Sequence, residues 1–286
     1  MRVAPVSETA DQQPHPRRGL DSVEGVLAFH GETEGRPYLY THEPPPGVPR
    51  TYGERDERTV RIRNGWKLAD TTLDVHGFHA GSYPTNFTDW TNPTAIAHDY
   101  YPEVASYVLE VTGATRAVIF DHNVRRNSKA ADSPWSEAGK YARTATWIHN
   151  DYTMHSAPKR AAELLGAEPT VRYAYVNLWR PIVGPLRDAP LAICDGRTIR
   201  MDDLELASLI YPDREGEIYL FRHAPRLEWY FFPEMSTDEA LFLKCMDSAL
   251  DGRTRFSAHT SFHDPSAPAD APPRESIETR ALVLWE

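Results

Sequence analysis

The chain has 286 residues, and its 31 basic and 41 acidic side chains give a formal net charge of −10. Because nucleic acids and anionic membranes attract basic surfaces, this balance argues against either one as the main partner. Two cysteines are too few for a disulfide framework or a cysteine-based zinc site. No apolar run approaches the ~18 residues of a membrane span, and residues 1–20 lack the apolar core of a signal peptide. We therefore expect a reduced, cytoplasmic protein without nucleic-acid or membrane partners.

The N-terminal region divides into a tail and the beginning of a folded domain. Residues 1–22 are polar and contain prolines without hydrophobic periodicity, which predicts a disordered tail. Short strand patterns separated by turn residues follow, and we predict a single domain over residues 23–286. The first predicted strands are Val23–His30, Pro37–His42 and Arg58–Arg63.

The middle of the chain contains two helical patterns and one buried strand. In Tyr101–Thr112, apolar residues follow one helical stripe before a glycine, which predicts an amphipathic helix. Ser156–Leu165 has a proline in its first turn and is followed by Gly166, which predicts a second helix. Arg116–Asp121 has the compact apolar pattern of a buried strand.

The region after Gly166 is rich in strand patterns. Val171–Trp179 alternates between two faces, of which one is aromatic. That face carries Val171, Tyr173, Tyr175, Asn177 and Trp179. Further predicted strands are Ile218–Arg222, Leu227–Phe232, Leu241–Met246, Arg255–His259 and Ile277–Trp285. Many short strands with Pro and Gly turns predict a mainly β fold with flanking helices, as a sandwich, barrel or jelly roll. Its core is expected mostly in residues 116–286.

The tripeptide His149-Asn150-Asp151 is the first element of a metal-site pattern. In a strand, positions i and i+2 project from the same face, so His149 and Asp151 can present an imidazole and a carboxylate together. A third ligand from a distant segment would complete a 2-His-1-carboxylate triad, which leaves open positions for non-haem Fe(II) chemistry. Such a tripeptide alone is weak evidence in a chain with 12 histidines.

The second element of the pattern lies near the C-terminus. His259 is at the end of a predicted strand, and Arg274 and Ser276 open the last strand on one shared face. A guanidinium and a hydroxyl so placed can bind a carboxylate by charge-assisted hydrogen bonds. The order of these elements resembles the layout of 2-oxoglutarate-dependent oxygenases on a double-stranded β-helix. The alternative is a set of polar surface residues in loops.

Eight segments between about residue 100 and residue 285 resemble one family in the expected order. They are Tyr100–Val104, Phe120–Arg126, His149–Tyr152, Asn177–Pro181, Pro190–Asp195, Trp229–Pro233, His259–Phe262 and Pro272–Val283. The family comprises the cephamycin 7α-hydroxylase-type (cephem methoxylase-related) proteins of bacteria and the fungal hydroxylase/desaturases. The resemblance implies a double-stranded β-helix (jelly roll, cupin-like), an Fe(II)/2-oxoglutarate-dependent dioxygenase, and oxidation of a small natural product with O2.

The resemblance also implies a set of metal ligands. His149 and Asp151 match the first two iron ligands of the family, and His259 matches the third. Halogenating relatives of such enzymes replace the carboxylate with a small residue. The presence of Asp151 therefore favours hydroxylation or desaturation over halogenation.

The cosubstrate site follows from the same resemblance. Arg274 and Ser276 match the pair that binds the far carboxylate of 2-oxoglutarate. Arg280 lies on the same strand face and is the alternative to Arg274. Asn177 lies on the aromatic face of its strand, where it could contact the cosubstrate or serve packing.

Several other residues are candidates for the substrate pocket. They are His122, Arg126, Tyr152, Trp179 and, as part of a lid, His79. For His122, a purely structural role is equally open.

The functional hypothesis is an oxygenase that hydroxylates or desaturates a small-molecule intermediate in bacterial secondary metabolism, such as antibiotic biosynthesis. A bias of 26 Arg to 5 Lys is typical of a GC-rich genome and favours the bacterial setting. One alternative is a metal-dependent hydrolase or isomerase on a cupin-like barrel, which would have no need of Arg274 and Ser276 as a carboxylate site. Another is a non-catalytic small-molecule-binding protein. Formation of a homodimer is left open.

Overall fold

The computed structural model describes residues 16–127, 135–136, 141–142 and 145–286. Its strands are β1 (Ser22–His30), β2 (Tyr38–Tyr40), β3 (Thr51–Tyr52), β4 (Arg55–Asn64), β5 (Phe78–Ser82), β6 (Arg116–Arg126), β7 (Trp135–Ser136), β8 (Tyr141–Ala142), β9 (His149–Asn150), β10 (Arg172–Pro181), β11 (Leu191–Cys194), β12 (Leu204–Ile210), β13 (Glu215–Phe221), β14 (Trp229–Phe231), β15 (Glu239–Asp247), β16 (His259–Ser261) and β17 (Glu275–Trp285). Its helices are α1 (Pro93–Ala95), α2 (Tyr101–Thr112) and α3 (Ser156–Leu165), with a π-helical turn at Ile96–Tyr100 between the first two. None of the helices in these ranges is long and apolar enough to span a bilayer.

The strands form two sheets that share a core. The first sheet has the order β1-β4-β14-β11-β16-β9-β13-β12-β2-β3, and the second has the order β5-β15-β10-β17-β6-β8-β7. One buried cluster joins the sheets, since it contains Phe29 and Phe231 from the first together with Tyr175 and Leu282 from the second. This two-sheet arrangement is the predicted jelly roll.

Strand β10 shows how the second sheet is covered on both faces. Tyr175 packs into the cluster between the sheets, whereas Ala174 and Val176 pack against Val104 and Val108 of α2 on the opposite face. The alternation predicted for this strand therefore separates an inner aromatic face from an outer face under a helix.

The two predicted helices are confirmed with the same bounds. Each ends at a glycine in the left-handed region, with φ 65° at Gly113 and φ 76° at Gly166. Glycine adopts this conformation without the steric penalty that a Cβ atom brings, so it ends a helix cleanly.

The N-terminal boundary differs from the prediction. Residues 1–15 of the predicted tail lie outside the described residues, but Pro16–Gly19 forms a 3₁₀ turn and Ser22 begins β1. Arg17 forms an ion pair with Asp264, and Arg18 forms one with Glu239. In the structure, residues 16–22 therefore pack on the folded domain through these ion pairs and the start of β1. In addition, residues 22–82 contribute five strands, β1 to β5, to the two sheets.

The predicted strand Arg255–His259 is wrong in position, because the observed strand is His259–Ser261. The preceding segment crosses between the sheets. Ser257 N–H donates to the Lys244 carbonyl in one sheet, while the Ala258 carbonyl accepts from Cys194 N–H in the other. A segment whose backbone bonds go to two sheets cannot continue a ladder in either one.

Candidate metal centre and active site

Three side chains from the metal-site pattern meet between the sheets. Strands β9 and β16 are neighbours, and their pairing places His149 opposite His259. The two imidazole centroids are 4.5 Å apart, and Asp151 follows β9 directly. One ligand atom from each of the three residues lies within 4.8 Å of the others. The predicted triad is therefore brought together by strand pairing.

The histidines of this group are set up to offer lone pairs. His149 Nδ1 lies 2.8 Å from the Trp147 carbonyl oxygen, to which it donates, so in the neutral ring the lone pair is on Nε2, which is 3.7 Å from Asp151 Oδ1. Such a hydrogen bond fixes the tautomer and orientation of a metal-binding imidazole. Burial, with repulsion from His149, lowers the pKa of His259 to about 3 and keeps that ring neutral. His259 Nδ1 is buried without a hydrogen-bond partner among the described residues.

Asp151 is held as a carboxylate. Burial would raise its pKa, but Arg280, the two histidines and a hydrogen bond from Asn177 outweigh burial and hold the pKa below its usual range. Its Oδ2 atom accepts from Asn177 Nδ2 at 2.8 Å and from Arg280 Nε at 3.2 Å. Two imidazoles and one carboxylate fit Fe(II) or a similar divalent ion and leave coordination positions open.

Arg274 is a buried cation with neutral partners. The residue is 3% exposed, and its guanidinium donates to Ser276 Oγ at 3.0 Å and to the Ala189 carbonyl at 2.8 Å. It also lies over the Trp179 ring, 5.0 Å from the ring centroid. Among the described residues, no carboxylate forms an ion pair with it. Burial, with repulsion from Arg125, lowers its pKa to about 9, so an anion bound here would be stabilised.

Arg280, the alternative cosubstrate anchor, has a different environment. Its Nε, Nη1 and Nη2 atoms face carboxylates of Asp151, Asp121 and Glu278 at 3.2, 2.9 and 2.9 Å. Burial would lower the pKa of Arg280, but these carboxylates raise it. Asn177 likewise donates to Asp151 and to Glu278 rather than facing open space. Both residues therefore belong to the surroundings of Asp151.

A cavity of about 260 Å³ opens beside Asp151 and Arg280. Its other lining residues include Phe120, Asp121, Tyr152, Leu209 and Ile218, together with Lys159, Arg160, Tyr211 and Arg214 near the surface. Of the predicted pocket residues, Tyr152 lines this cavity, and its ring stacks on Tyr175 at 4.1 Å. The cavity combines apolar side chains with polar and charged ones, and it adjoins the ligand group, which makes it the candidate substrate site.

His122 and Arg126, two predicted pocket residues, are not among the residues that line this cavity. His122 Nδ1 is hydrogen-bonded to the Tyr101 hydroxyl at 2.7 Å, on the helix-covered face of the second sheet. Arg126 forms an ion pair with Glu275, its register partner on β17, at 2.6 Å.

His79 and Trp179 are not among the lining residues of this cavity either. His79 donates through Nδ1 to the Thr71 carbonyl at 2.7 Å and bonds the Tyr83 hydroxyl at 3.0 Å, so it ties together the edge of the sheet. Trp179 is buried under Arg274. Its position is next to the candidate cosubstrate site and away from the cavity.

Several residues of the site were missed from the sequence. Tyr211 and Arg214 lie in the turn between β12 and β13, and Lys159 and Arg160 lie on α3. Their places depend on how distant elements pack, and no motif marks them. Arg125, next to the predicted Arg126, is close enough to His259 and Arg274 to affect the pKa values of both.

Comparisons with known proteins agree with this site. A model of the family described as "Oxidoreductase/YMDC permease-like domain" matches residues 27–284. The chain is 32% identical over 263 residues to "Fe(II)/2-oxoglutarate-dependent dioxygenase nvfI" of Aspergillus novofumigatus (strain IBT 16806), which covers 86% of this chain and 90% of the relative. It is 32% identical over 255 residues to "Hydroxylase/desaturase CTB9" of Cercospora beticola, which covers 81% and 78%. The solved structure of "iron and alpha-ketoglutarate-dependent endoperoxidase NvfI" superposes with a TM-score of 0.82 at 28% identity, covering 93% of this chain and 98% of that one.

The jelly roll and the His-Asp-His group define a metal-dependent oxidoreductase of the non-haem class. The matches show that the chain belongs to the family of Fe(II)/2-oxoglutarate-dependent dioxygenases and hydroxylase/desaturases. It is therefore an enzyme that uses Fe(II), 2-oxoglutarate and O2. The predicted fold class and enzyme class are confirmed, and the hydrolase, isomerase and binding-protein alternatives have no support. The relatives named here are fungal, so the resemblance to the cephamycin 7α-hydroxylase type stays a prediction.

Proposed function

We propose that this protein hydroxylates or desaturates a small-molecule intermediate of secondary metabolism. In hydroxylation, substrate, 2-oxoglutarate and O2 give hydroxylated substrate, succinate and CO2, with one oxygen atom in each organic product. In desaturation, the substrate loses two hydrogen atoms and the second oxygen atom leaves as water. Iron with its cosubstrates supplies the oxidising power when bound, and the protein supplies binding and orientation.

The observation that carries this proposal is the joint presence of a His-Asp-His group and a buried arginine with which no carboxylate of the described residues forms an ion pair. His149, Asp151 and His259 would hold the metal, since their ligand atoms lie within 4.8 Å of one another. Arg274 and Ser276 would bind the far carboxylate of 2-oxoglutarate, which would give the buried guanidinium the anion that the described residues do not supply.

The cavity supports a role for its walls in binding substrate. Phe120, Leu209, Ile218 and Tyr152 offer apolar surface next to Asp151. These side chains would exclude water and orient the reacting C–H bond toward the metal group. The substrate would be a small molecule, in agreement with the small cavity.

The proposal is tested by measuring the conversion of 2-oxoglutarate to succinate. Anaerobically purified protein is mixed with Fe(II), 2-oxoglutarate and air, and succinate is measured by mass spectrometry. We expect succinate to form slowly without substrate and not to form with His259→Ala, the matched control. Equal amounts of succinate from both proteins, or none from either at any iron concentration, would contradict the proposal.

The type of oxidation is resolved by product mass and by the use of ¹⁸O₂. Hydroxylation adds one labelled oxygen atom, and desaturation removes two hydrogen atoms without label. The solved relative is named an endoperoxidase, and that outcome would add both atoms of O2. We propose the first two outcomes, and incorporation of both oxygen atoms would overturn that part.

The biological setting is also a proposal. A bacterial host is supported by the excess of 26 Arg over 5 Lys, whereas the curated relatives named above come from fungi. The cytoplasmic location and a homodimer stay predictions. Size-exclusion chromatography with light scattering tests the oligomeric state directly.

A further inference from the structure

The guanidinium of Arg280 lies among three carboxylates at the base of the cavity. Each of its three nitrogen atoms faces a different one, since Nε faces Asp151, Nη1 faces Asp121 and Nη2 faces Glu278. Arg280 is thus already ion-paired and is poorly suited to bind a dicarboxylate from solution. Its contact with Asp151 connects it to the metal group instead.

The register of the second sheet places these partners. Strand β17 lies between β10 and β6, and Arg280 is opposite Asn177 on the first and Asp121 on the second. The side chains of Arg280, Asn177 and Asp121, from three neighbouring strands, therefore lie close together. This point is where Asp151 enters from the other sheet.

The two oxygen atoms of Asp151 have different surroundings. Oδ2 accepts from Asn177 Nδ2 at 2.8 Å and from Arg280 Nε at 3.2 Å. Oδ1 is directed toward His149, with its Nε2 atom at 3.7 Å. Rotation of the carboxylate would break both hydrogen bonds to Oδ2, so the two donors fix which oxygen faces the imidazoles.

We propose that Arg280 is a positioning residue for the metal ligand Asp151. Together with Asn177 it occupies one carboxylate oxygen and leaves the other for the metal ion. This role rests on the proposed function, and it goes further by assigning Arg280 to metal binding and not to the cosubstrate. Partners that orient a metal ligand typically change metal affinity by about 10–100-fold when they are removed.

The test compares the same substitution at two arginines of one strand face. Fe(II) and, separately, Co(II) are titrated into the apoprotein without 2-oxoglutarate, and the Co(II) absorption spectrum is recorded. We expect Arg280→Lys to weaken metal affinity by about tenfold or more and to change the spectrum, because lysine cannot reproduce a planar side-on donor. Arg274→Lys is the matched control, and we expect wild-type metal affinity and spectrum.

A second variant examines whether the guanidinium itself is needed. Arg280→Ala should show the larger loss of Co(II) affinity, and added methylguanidinium should restore part of it. Arg280→Lys keeps a positive charge among the three carboxylates, so it carries the test if Arg280→Ala fails to fold. Thermal unfolding of each apoprotein checks folding.

The possible outcomes distinguish failure of the positioning role of Arg280 from failure of the proposed function. Wild-type metal affinity and spectrum in folded Arg280→Lys and Arg280→Ala would overturn the positioning role, even if wild-type protein forms succinate. A loss of 2-oxoglutarate affinity alone in these variants would also overturn it and would make Arg280 the cosubstrate anchor. If wild-type protein binds neither metal ion, the proposed function itself fails.

Discussion

Two arginines at the last strand have opposite surroundings: Arg280 lies within β17, and Arg274 lies just before it. Arg280 is ion-paired with three carboxylates, all within 3.2 Å. Arg274, six residues earlier, has a hydroxyl, a carbonyl and an indole ring around its guanidinium, and no carboxylate among the described residues pairs with it. Both side chains are largely buried, so the difference lies in charge compensation.

This difference in charge compensation distinguishes an arginine that can bind a ligand, Arg274, from one that has a structural role, Arg280. A buried charge is stable only when it is paired, and truncating one partner of a buried pair is strongly destabilising. Arg280 already has its counter-charges from the protein. Arg274 has hydrogen bonds, but no carboxylate in the described part of the chain forms an ion pair with it, which suits a site that receives an anion from solution. Position on a strand face alone does not distinguish the two roles.

The largest expected effect concerns the proposed metal ligands His149 and His259. We expect His149→Ala or His259→Ala to abolish Fe(II) binding, because two of three ligands do not hold the ion, and to abolish succinate formation. Fe(II) affinity is measured by anaerobic titration, and thermal unfolding checks that the apoprotein folds. If His259→Ala keeps wild-type iron affinity, the third ligand is misassigned, and both arginines lose their proposed connection to a metal.

The next effect separates the arginines directly. We expect Arg274→Ala to weaken 2-oxoglutarate binding by about 30-fold or more, since truncating one partner of a desolvated charge pair costs ~2–5 kcal/mol and ~1.4 kcal/mol is tenfold. Iron affinity should stay near wild type. The measurement is titration of the metal-to-ligand charge-transfer band that forms when 2-oxoglutarate chelates Fe(II). Unchanged 2-oxoglutarate affinity in this variant would contradict the assignment of Arg274, rather than Arg280, as the cosubstrate anchor.

Local parts of the fold could be predicted from the sequence, because they depend on neighbouring residues. Helices α2 and α3 follow from their apolar stripes and terminal glycines. The shared face of Arg274 and Ser276 follows from strand alternation and is confirmed by their hydrogen bond. The meeting of His149 and His259 needed the pairing of two distant strands, which no local pattern specifies.

A bulge in β6 determines which way His122 faces. The register between β6 and β17 shifts at Arg280 and Ala281, so that Phe120 is an extra residue in β6. Such a bulge changes which residues face inward. Phe120 and Asp121 both line the cavity, and His122 faces Tyr101 on the other side. Alternation read from the sequence cannot locate a bulge, because it depends on the partner strand.

The smallest predicted effect tests the hydroxyl beside Arg274. Ser276 is buried, and its Oγ atom accepts from Arg274 Nε at 3.0 Å, which holds the guanidinium in place. One hydrogen bond contributes ~0.5–1.5 kcal/mol, so Ser276→Ala should weaken 2-oxoglutarate by about two- to tenfold, less than Arg274→Ala. Thr279→Val is the matched control, because Thr279 is buried on the same strand but on the opposite face from Ser276. We expect that control to leave 2-oxoglutarate affinity unchanged. A larger loss in Ser276→Ala than in Arg274→Ala would show that the hydroxyl, and not the guanidinium, is the main contact of the carboxylate.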